Sequence, residues 1–288
     1  MTRWGRLLAA GAGVVAARYM LREVRTAPVA PALERTNFRG RTVTLAAGPA
    51  LAVGAATAGA LGAGSAPAGV AALVAGLGSG AVGLYDDVVG ARPEQKAAKG
   101  FAGHLAALRE GRVTAGLVKI VGVGAAGLTA AALLAADPRV AAHPRRQRHR
   151  SLGRGLDVLL GAAVVAGTAN LLNLLDLRPG RALKSGMLLG APLARGPYGG
   201  IAAGAVGAAA GLIQEDLEER VMLGDSGANA LGALLGVSLA ARTGPVGRAG
   251  VLAALAALTA ASEKVSFTQV IQRTPGLREL DSLGRLAD

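Results

Sequence analysis

The sequence predicts an all-α integral membrane protein, a polytopic bundle of about nine transmembrane helices whose candidate site lies in cytoplasmic loops. Of the 288 residues, 52% are hydrophobic, and the mean hydropathy is +0.43. A bilayer core of about 30 Å needs roughly 20 apolar residues per helix, and runs near that length cover most of the chain. Because no stretch is left for a separate soluble domain of ordinary size, residues 1–288 form one membrane domain, with 263–288 as a cytoplasmic tail.

The apolar runs justify the helices one by one. They lie at 4–21, 44–64, 67–85, 115–136, 155–175, 183–195, 198–213, 228–241 and 247–262. The first could be a signal peptide, since Arg3 and Arg6 precede it. It ends in AARYMLREVR, however, which lacks a small-residue cleavage pattern and favours a retained helix. Small-xxx-small pairs within the later runs predict close helix packing, at Gly186/Gly190, Gly200/Gly204, Gly207/Gly211 and Gly232/Gly236.

The net charge of +13 is compatible with several classes of protein. In a membrane protein, such charge usually belongs to loops that set topology and contact anionic lipid. The basic stretches are not interleaved with aromatic residues, so we predict no nucleic-acid partner. The chain has no cysteine, which excludes disulfides, thiolate zinc sites and cysteine nucleophiles.

Alternating the loops between two faces separates the acids. All Asp and Glu residues except Asp137 and Asp157 fall on one face, which also receives the larger share of Lys and Arg. The positive-inside rule makes this face cytoplasmic, in a cell membrane. The arginine-rich loop 137–154 falls on the other face and argues against the assignment. Larger loops hold more charges of both signs, which is the simpler explanation of the acid distribution.

Four of the acids lie at the ends of apolar runs rather than at loop tips. Asp86 and Asp87 end one run, Asp176 ends another, and Asp225 precedes a third. Ionisable residues are expensive to place at membrane rims and tend to be functional. Together the four predict a site for a metal ion and a phosphate. Carboxylate oxygens without histidine or cysteine partners favour Mg²⁺, or Mn²⁺, over zinc.

A polar ladder leads to one of these acids in the stretch TANLLNLLDLRPGRALK. Asn170, Asn173 and Asp176 are spaced by three and so follow one helix edge. The amides could simply join helices. The ladder nevertheless ends in a carboxylate and a Pro-Gly break near Arg181, an arrangement that suits a phosphorylated ligand and a divalent ion.

The other two acidic segments each allow two roles. Asp225 begins a predicted helix, where it could cap the N-terminus or lie beside an anion bound there. Asp86 and Asp87 precede a basic loop that includes Lys99. Adjacent helical side chains diverge, so we expect one carboxylate to face the site while the other orients a lysine or acts as a base.

These motifs, in this order, resemble those of the polyprenyl-phosphate N-acetylhexosamine-1-phosphate transferases, a family that includes the phospho-N-acetylmuramoyl-pentapeptide and UDP-GlcNAc-1-phosphate transferases. The resemblance covers roughly 35–240, through NFRGR, GLYDD, ANLLNLLD and MLGDSGANALG. It implies transfer of a sugar 1-phosphate from a UDP-N-acetylhexosamine to polyprenyl phosphate, with release of UMP.

The resemblance also implies roles for individual residues. Asp225 would be a magnesium ligand, and Asp86 and Asp87 would lie beside the lipid phosphate or the diphosphate. Asp176 and the two asparagines would line the nucleotide-sugar site, and Lys99 and Arg181 would bind substrate. The sequence also allows a homodimer.

Two departures from the family pattern support an alternative. Pro179 replaces the family's second loop acid, and residues 263–288 lack its late histidine motif. The alternative is a catalytically degraded relative that binds lipid phosphate or serves as a membrane scaffold. A transporter ranks third, because it would place acids near the bilayer midplane rather than at segment ends.

Overall fold

The computed structural model describes residues 2–95, 100–141 and 153–286, most of which are helical. Two short strands, β1 (Glu34–Thr36) and β2 (Thr42–Thr44), form an antiparallel hairpin. The helices are α1 (Arg3–Thr26), α2 (Ala47–Leu61), α3 (Ala66–Tyr85), α4 (Gly100–Arg109), α5 (Ala115–Ala136), α6 (Pro138–Ala141), α7 (Arg154–Leu175), α8 (Arg181–Leu193), α9 (Gly199–Leu217), α10 (Gly224–Arg242), α11 (Pro245–Ser262), α12 (Phe267–Arg273) and α13 (Leu277–Ser282).

In the described part of the chain, four helices are long and apolar enough to cross a membrane. They are α3 with the turn that follows it (Ala66–Gly90), α5, α7 and α11. Their bounds agree with the predicted runs 67–85, 115–136, 155–175 and 247–262. The other five runs also form helices, but α2 and α8 are short, and α1, α9 and α10 include polar residues. The helical membrane class is thus supported, with fewer clear spans than predicted.

Helix α10 lies at the centre of the bundle. It packs against α7, α3 and α2, and also contacts α9, α8 and α5. Nearly all of its residues are buried, because its small side chains let neighbouring helices approach on every side. The N-terminus of α10, with Asp225, is therefore surrounded by the ends of other helices.

The glycine pairs are packing devices, as predicted. A Cβ added at Gly232 would lie 2.5 Å from the Ala169 Cα atom, and one at Gly236 would lie 2.6 Å from the Val165 Cα atom. Both positions face α7, so the α7 and α10 backbones touch without intervening side chains. Larger residues at these two positions would separate the central helix from its neighbour.

The two ends of the bundle differ in chemistry. At one end the buried Arg248, on α11, donates to the Asp157 carboxylate and main-chain carbonyl (2.7 and 2.6 Å) and to the Ala240 carbonyl (2.5 Å). This ion pair joins α7, α10 and α11. At the same end Asp137 accepts a hydrogen bond from Ser65. The candidate site lies at the opposite end.

The hairpin lies at the site end. Its loop is held by Asn37, whose side-chain oxygen accepts from the backbone N–H groups of Arg39 and Arg41 (both 2.9 Å). Gly40, at φ +75°, supplies the left-handed conformation that the turn needs. The backbone of Met222 donates to the Thr44 carbonyl (2.8 Å), which ties the hairpin to the segment before α10.

Candidate functional site

The four predicted acids come together at one end of the bundle. Asp86 and Asp87 lie in a single π-helical turn (Asp86–Gly90) directly after α3. Asp176 is the residue that ends α7, and Asp225 lies in the first turn of α10. π-Helical turns occur often at functional sites, because they reorient side chains at a helix end. Here the turn brings both acids of the pair toward α10.

Asp86 and Asp225 share one cation, Lys119. The Lys119 ammonium lies 2.6 Å from Asp86 Oδ2 and also donates to Asp225 Oδ2. Lys119 belongs to the second turn of α5, inside an apolar run, and was not among the predicted site residues. A charged residue within such a run is the sequence signal that could have identified it.

Asp87 has a different task from its neighbour. Its two oxygens accept from the backbone N–H groups of Asp225 and Ser226, each at 3.0 Å. The carboxylate therefore caps the N-terminus of α10 and orients Asp225. Gly83 makes this possible, since a Cβ there would lie 2.5 Å from the Asp225 carbonyl oxygen. The two adjacent acids thus have different partners: Asp86 contacts a lysine, as expected for one of the pair, whereas Asp87 caps α10, a role that the sequence did not predict.

Asp176 completes the cluster. Its side chain lies near the backbone of Gly224 and near Asp216, Asp225 and Asp87. Burial raises the pKa of the Asp176 carboxyl well above its usual value, and the charges of these three carboxylates add to the rise. A ligand that brings cations or hydrogen-bond donors would therefore be favoured here.

A cavity of about 250 Å³ opens beside Asp176. Its walls come from the hairpin loop, the loop after α7 and the segment between α9 and α10. Besides Asp176, two acids line it, Asp216 and Glu219. Phe38 and Arg178 stack in the wall, with the guanidinium 4.4 Å from the ring centroid.

Asp216 and Glu219 were not predicted as site residues. The Asp216 carboxylate, 4% exposed, accepts from the Gly180 N–H (2.6 Å). Burial raises the pKa of Asp216 to about 7, although the hydrogen bond from Gly180 opposes the rise. Glu219 accepts from the Asn37 amide (2.8 Å) and pairs with Arg39 (3.0 Å). Asp216 lies in the last turn of α9 and Glu219 lies just after it, in a charged stretch with no motif to mark them.

The remaining predicted residues have other partners. Asn170 donates to Thr259 on α11 (3.0 Å), a contact that joins two helices, as the alternative role of these amides predicts. The main-chain carbonyl of Asn173 accepts from the Asp176 N–H (3.1 Å). Arg181, 3% exposed, is paired with Asp281, so a substrate contact would require this pair to open. Lys99 lies outside the described residues.

Asp86 and Asp225 are the two carboxylates that could hold a divalent ion at this end. Among the described residues, no group of three or more His, Cys, Asp or Glu side chains is arranged to hold a metal ion. Asp86 and Asp225 do face one position, now taken by the Lys119 ammonium. Mg²⁺ is commonly held by one or two carboxylates with water and substrate phosphates completing its shell, and two carboxylates are what this position offers.

Comparison with known proteins leaves the geometry as the main guide to function. No protein-family model matches the chain, and no curated protein matches it.

Proposed function

We propose that the protein is a membrane transferase that moves a sugar 1-phosphate from a UDP-N-acetylhexosamine to polyprenyl phosphate, releasing UMP, in cell-envelope glycan synthesis. The observation that carries the proposal is the convergence of Asp86, Asp87, Asp176 and Asp225, two of which bind Lys119, beside a cavity at one end of an apolar helical bundle. A long lipid substrate requires a site at the edge of the membrane. A diphosphate requires positive charge beside its oxygens.

The charges divide the nucleotide sugar between two places. Asp176, Asp216 and Glu219 line the cavity, and burial raises the pKa of Asp176 and Asp216. Such carboxyl groups suit uncharged N–H and O–H groups better than phosphates. The nucleoside half therefore occupies the cavity. The phosphates lie toward Lys119, which we expect to donate to their oxygens.

The chemical step is a substitution at phosphorus. A polyprenyl-phosphate oxygen forms a bond to the sugar-proximal phosphorus of the UDP-sugar, while the bond from that phosphorus to the UMP oxygen breaks. The attacking oxygen is already ionised near neutral pH, so the step needs positioning and charge neutralisation rather than proton removal. Asp87 holds the N-terminus of α10 in place, and Asp86 and Lys119 set the local charge.

Asp225 and Asp86 are the residues that would hold Mg²⁺ or Mn²⁺ at the position between them. When bound, the ion would neutralise charge on the diphosphate.

The proposal includes a topology. The nine predicted runs cross the cell membrane, so that α1, α2, α8 and the parts of α9 and α10 within 198–213 and 228–241 also span it. Asp216 and Asp225 lie outside these spans, and the carboxylate end faces the cytoplasm. Lys and Arg in the loops of that end support this orientation. The proposal includes no nucleic-acid partner and is compatible with a homodimer.

The direct test supplies purified protein with Mg²⁺, polyprenyl phosphate and radiolabelled UDP-GlcNAc or another UDP-N-acetylhexosamine. We expect UMP and a lipid-linked sugar diphosphate in equal amounts. Asp225→Asn is expected to lower the rate by at least about 100-fold, as for loss of a group that neutralises transition-state charge. Glu263→Gln, an equal charge change at an exposed position after α11, is the matched control and should leave the rate unchanged.

A second candidate is a relative that has lost catalysis and binds lipid phosphate as a scaffold. The observation favouring it is that Lys119 already neutralises Asp86 and Asp225, while position 179 carries proline. Binding of polyprenyl phosphate without UMP release from any UDP-sugar would support this candidate over the transferase.

A further inference from the structure

The C-terminal segment, residues 267–286, does not trail away from the bundle as a tail. It folds into α12 and α13 and packs back on α8 through Arg181. The Arg181 guanidinium makes two hydrogen bonds to Asp281, from Nε (2.7 Å) and Nη2 (3.1 Å), and one from Nη1 to the Thr268 hydroxyl (2.9 Å). The bidentate geometry fixes both position and orientation.

Two further cations hold the same segment. Lys184, one turn after Arg181, donates to the carbonyls of Leu280, Asp281 and Leu283 (2.9, 2.6 and 3.1 Å). These are end carbonyls of α13, which a cation stabilises. Arg39, in the hairpin loop, donates to the Leu286 carbonyl (3.0 Å).

Asp281 is favoured in its ionised form, as its contacts with Arg181 require. Burial opposes ionisation of its carboxyl, but the hydrogen bonds and charge of Arg181 outweigh burial and lower the pKa of Asp281. Arg285 adds a second ion pair to the same carboxylate (2.7 Å).

The anchors of this segment are also supports of the cavity. Arg181 directly follows the loop 176–180, and its backbone N–H donates to the Arg178 carbonyl (3.1 Å). Asp176 and Arg178 in this loop line the cavity, as do Asn37 and Phe38 beside Arg39. One segment thus joins two walls, the hairpin loop and the loop after α7.

We infer that residues 267–286 are a working part of the candidate site, and that Asp281 is a positioning residue that fixes, through Arg181, the loop carrying Asp176. The kinetic test of this inference rests on the proposed function, because it measures transfer of the sugar phosphate. The mobility of the loop can be measured independently of that function.

A second acid on α13, Glu279, provides a control for substitution of Asp281. Asp281→Asn removes the carboxylate that holds Arg181. Glu279→Gln makes the same charge change at an exposed residue that contacts Arg278 and the Gly276 backbone N–H, from which a Gln amide oxygen can still accept. Arg181→Gln and the double variant Arg181→Gln/Asp281→Asn complete a double-mutant cycle, because an effect exerted through Arg181 must disappear once Arg181 is absent.

Loop mobility is measured with a nitroxide at Leu177→Cys, since the chain has no native cysteine and Leu177 is 59% exposed. A reference label at Leu61→Cys, 78% exposed, reports on the other end of the bundle. We expect Asp281→Asn to sharpen the spectrum at 177 and not at 61, and Glu279→Gln to change neither. An unchanged spectrum at 177 would overturn the inference, whether or not the protein transfers sugar phosphate.

Kinetic measurements distinguish a role in substrate binding from a purely structural role of the segment. If transfer is detected, Asp281→Asn is expected to raise KM for the UDP-sugar roughly tenfold with kcat changed less than about threefold, the pattern of lost ground-state binding. The same substitution should have no further effect in the Arg181→Gln background. A mobile loop with unchanged KM would show that the segment braces the fold but does not serve the site. If Asp281→Asn does not fold, Arg181→Lys, which keeps the charge and loses the bidentate contact, replaces it in both measurements.

Discussion

Lys119 holds the charge balance of the carboxylate cluster, since it is the cation placed between Asp86 and Asp225. Its importance could not be predicted from spacing, because its two partners lie on different helices and Asp225 is 106 positions away. The four acids could be placed at one end, because each begins or ends an apolar run and successive helices reverse direction. Their catalytic and metal-binding roles stay predictions.

We expect Lys119→Gln to lower the free energy of unfolding by about 2 kcal/mol, because it leaves two neighbouring carboxylates without their shared cation. Mg²⁺ should restore part of the loss, and should raise the unfolding midpoint more in the variant than in wild type. Thermal unfolding in detergent, with Mg²⁺ or with chelator, measures both effects. Lys264→Gln, at an exposed position, is the control. Equal Mg²⁺ shifts in the variant and wild type would argue against an ion site between Asp86 and Asp225.

Asp216 predicts a pH dependence of stability. Its pKa rises from the usual 3.8 to about 7 on folding, mainly through burial, so the folded protein holds a proton that the unfolded chain releases. Its contribution is full below about pH 4 and is lost as the pH rises through 7. Wild type should therefore lose more stability than Asp216→Asn between pH 5 and 7.5.

Unfolding midpoints at several pH values test this difference, since the Asn amide oxygen can still accept from Gly180. Parallel curves for the two proteins would show that Asp216 does not titrate in this range. The roles of Asp216 and Glu219 in the cavity could not be predicted, because they depend on tertiary burial, which the charged end of α9 and the residues after it do not reveal.

At the level of elements, the long apolar helices could be predicted, whereas the short elements that surround the site could not. The run 115–136 coincides with α5, because length and hydropathy determine a span. The hairpin, the π-helical turn and the docked helices α12 and α13 depend on contacts with distant residues, such as Glu219 with Asn37. Strands of three residues also give too short an alternation to recognise.

The close contact between α3 and α10 gives an element-scale prediction. A Cβ at Gly83 would lie 2.5 Å from the Asp225 carbonyl oxygen and 2.7 Å from the Ser226 backbone nitrogen. Gly83→Ala should therefore push the two helix ends apart, with a loss of about 1–3 kcal/mol in unfolding free energy and a clear loss of transfer.

Gly124→Ala is the matched control, because a Cβ there would meet no atom within 4 Å. Alanine in a helix interior should then be neutral or stabilise by up to about 1 kcal/mol. Comparable losses in both variants would indicate that glycine is needed for reasons other than this contact.

At the scale of the whole molecule, the two ends of the bundle carry different chemistry. The site end gathers carboxylates, Lys119 and the cavity, whereas the other end is held by the Arg248–Asp157 pair. Alternation of loops predicted this separation. Which end faces the cytoplasm depends on insertion into a membrane and so is not determined by packing.

Single cysteines at positions 92, 178 and 145 test the orientation, without background from native thiols. In sealed inverted vesicles we expect a membrane-impermeant maleimide to react at 92 and 178, and at 145 only after permeabilisation. Labelling of each cysteine after permeabilisation gives the total, to which the labelling in intact vesicles is compared. Reaction at 145 together with 92 in intact vesicles would refute the assigned topology.

The glycine contacts bear on how the site would meet a ligand. Because Gly83 abuts the main chain of α10, and Asp87 binds the backbone N–H groups of Asp225 and Ser226, the spacing between α3 and α10 is set by main-chain atoms rather than by flexible side chains. Little conformational entropy is then left to lose when a ligand binds between these helix ends. Affinity at this end would be governed mainly by charge and desolvation, so binding of a charged ligand should weaken as the ionic strength rises.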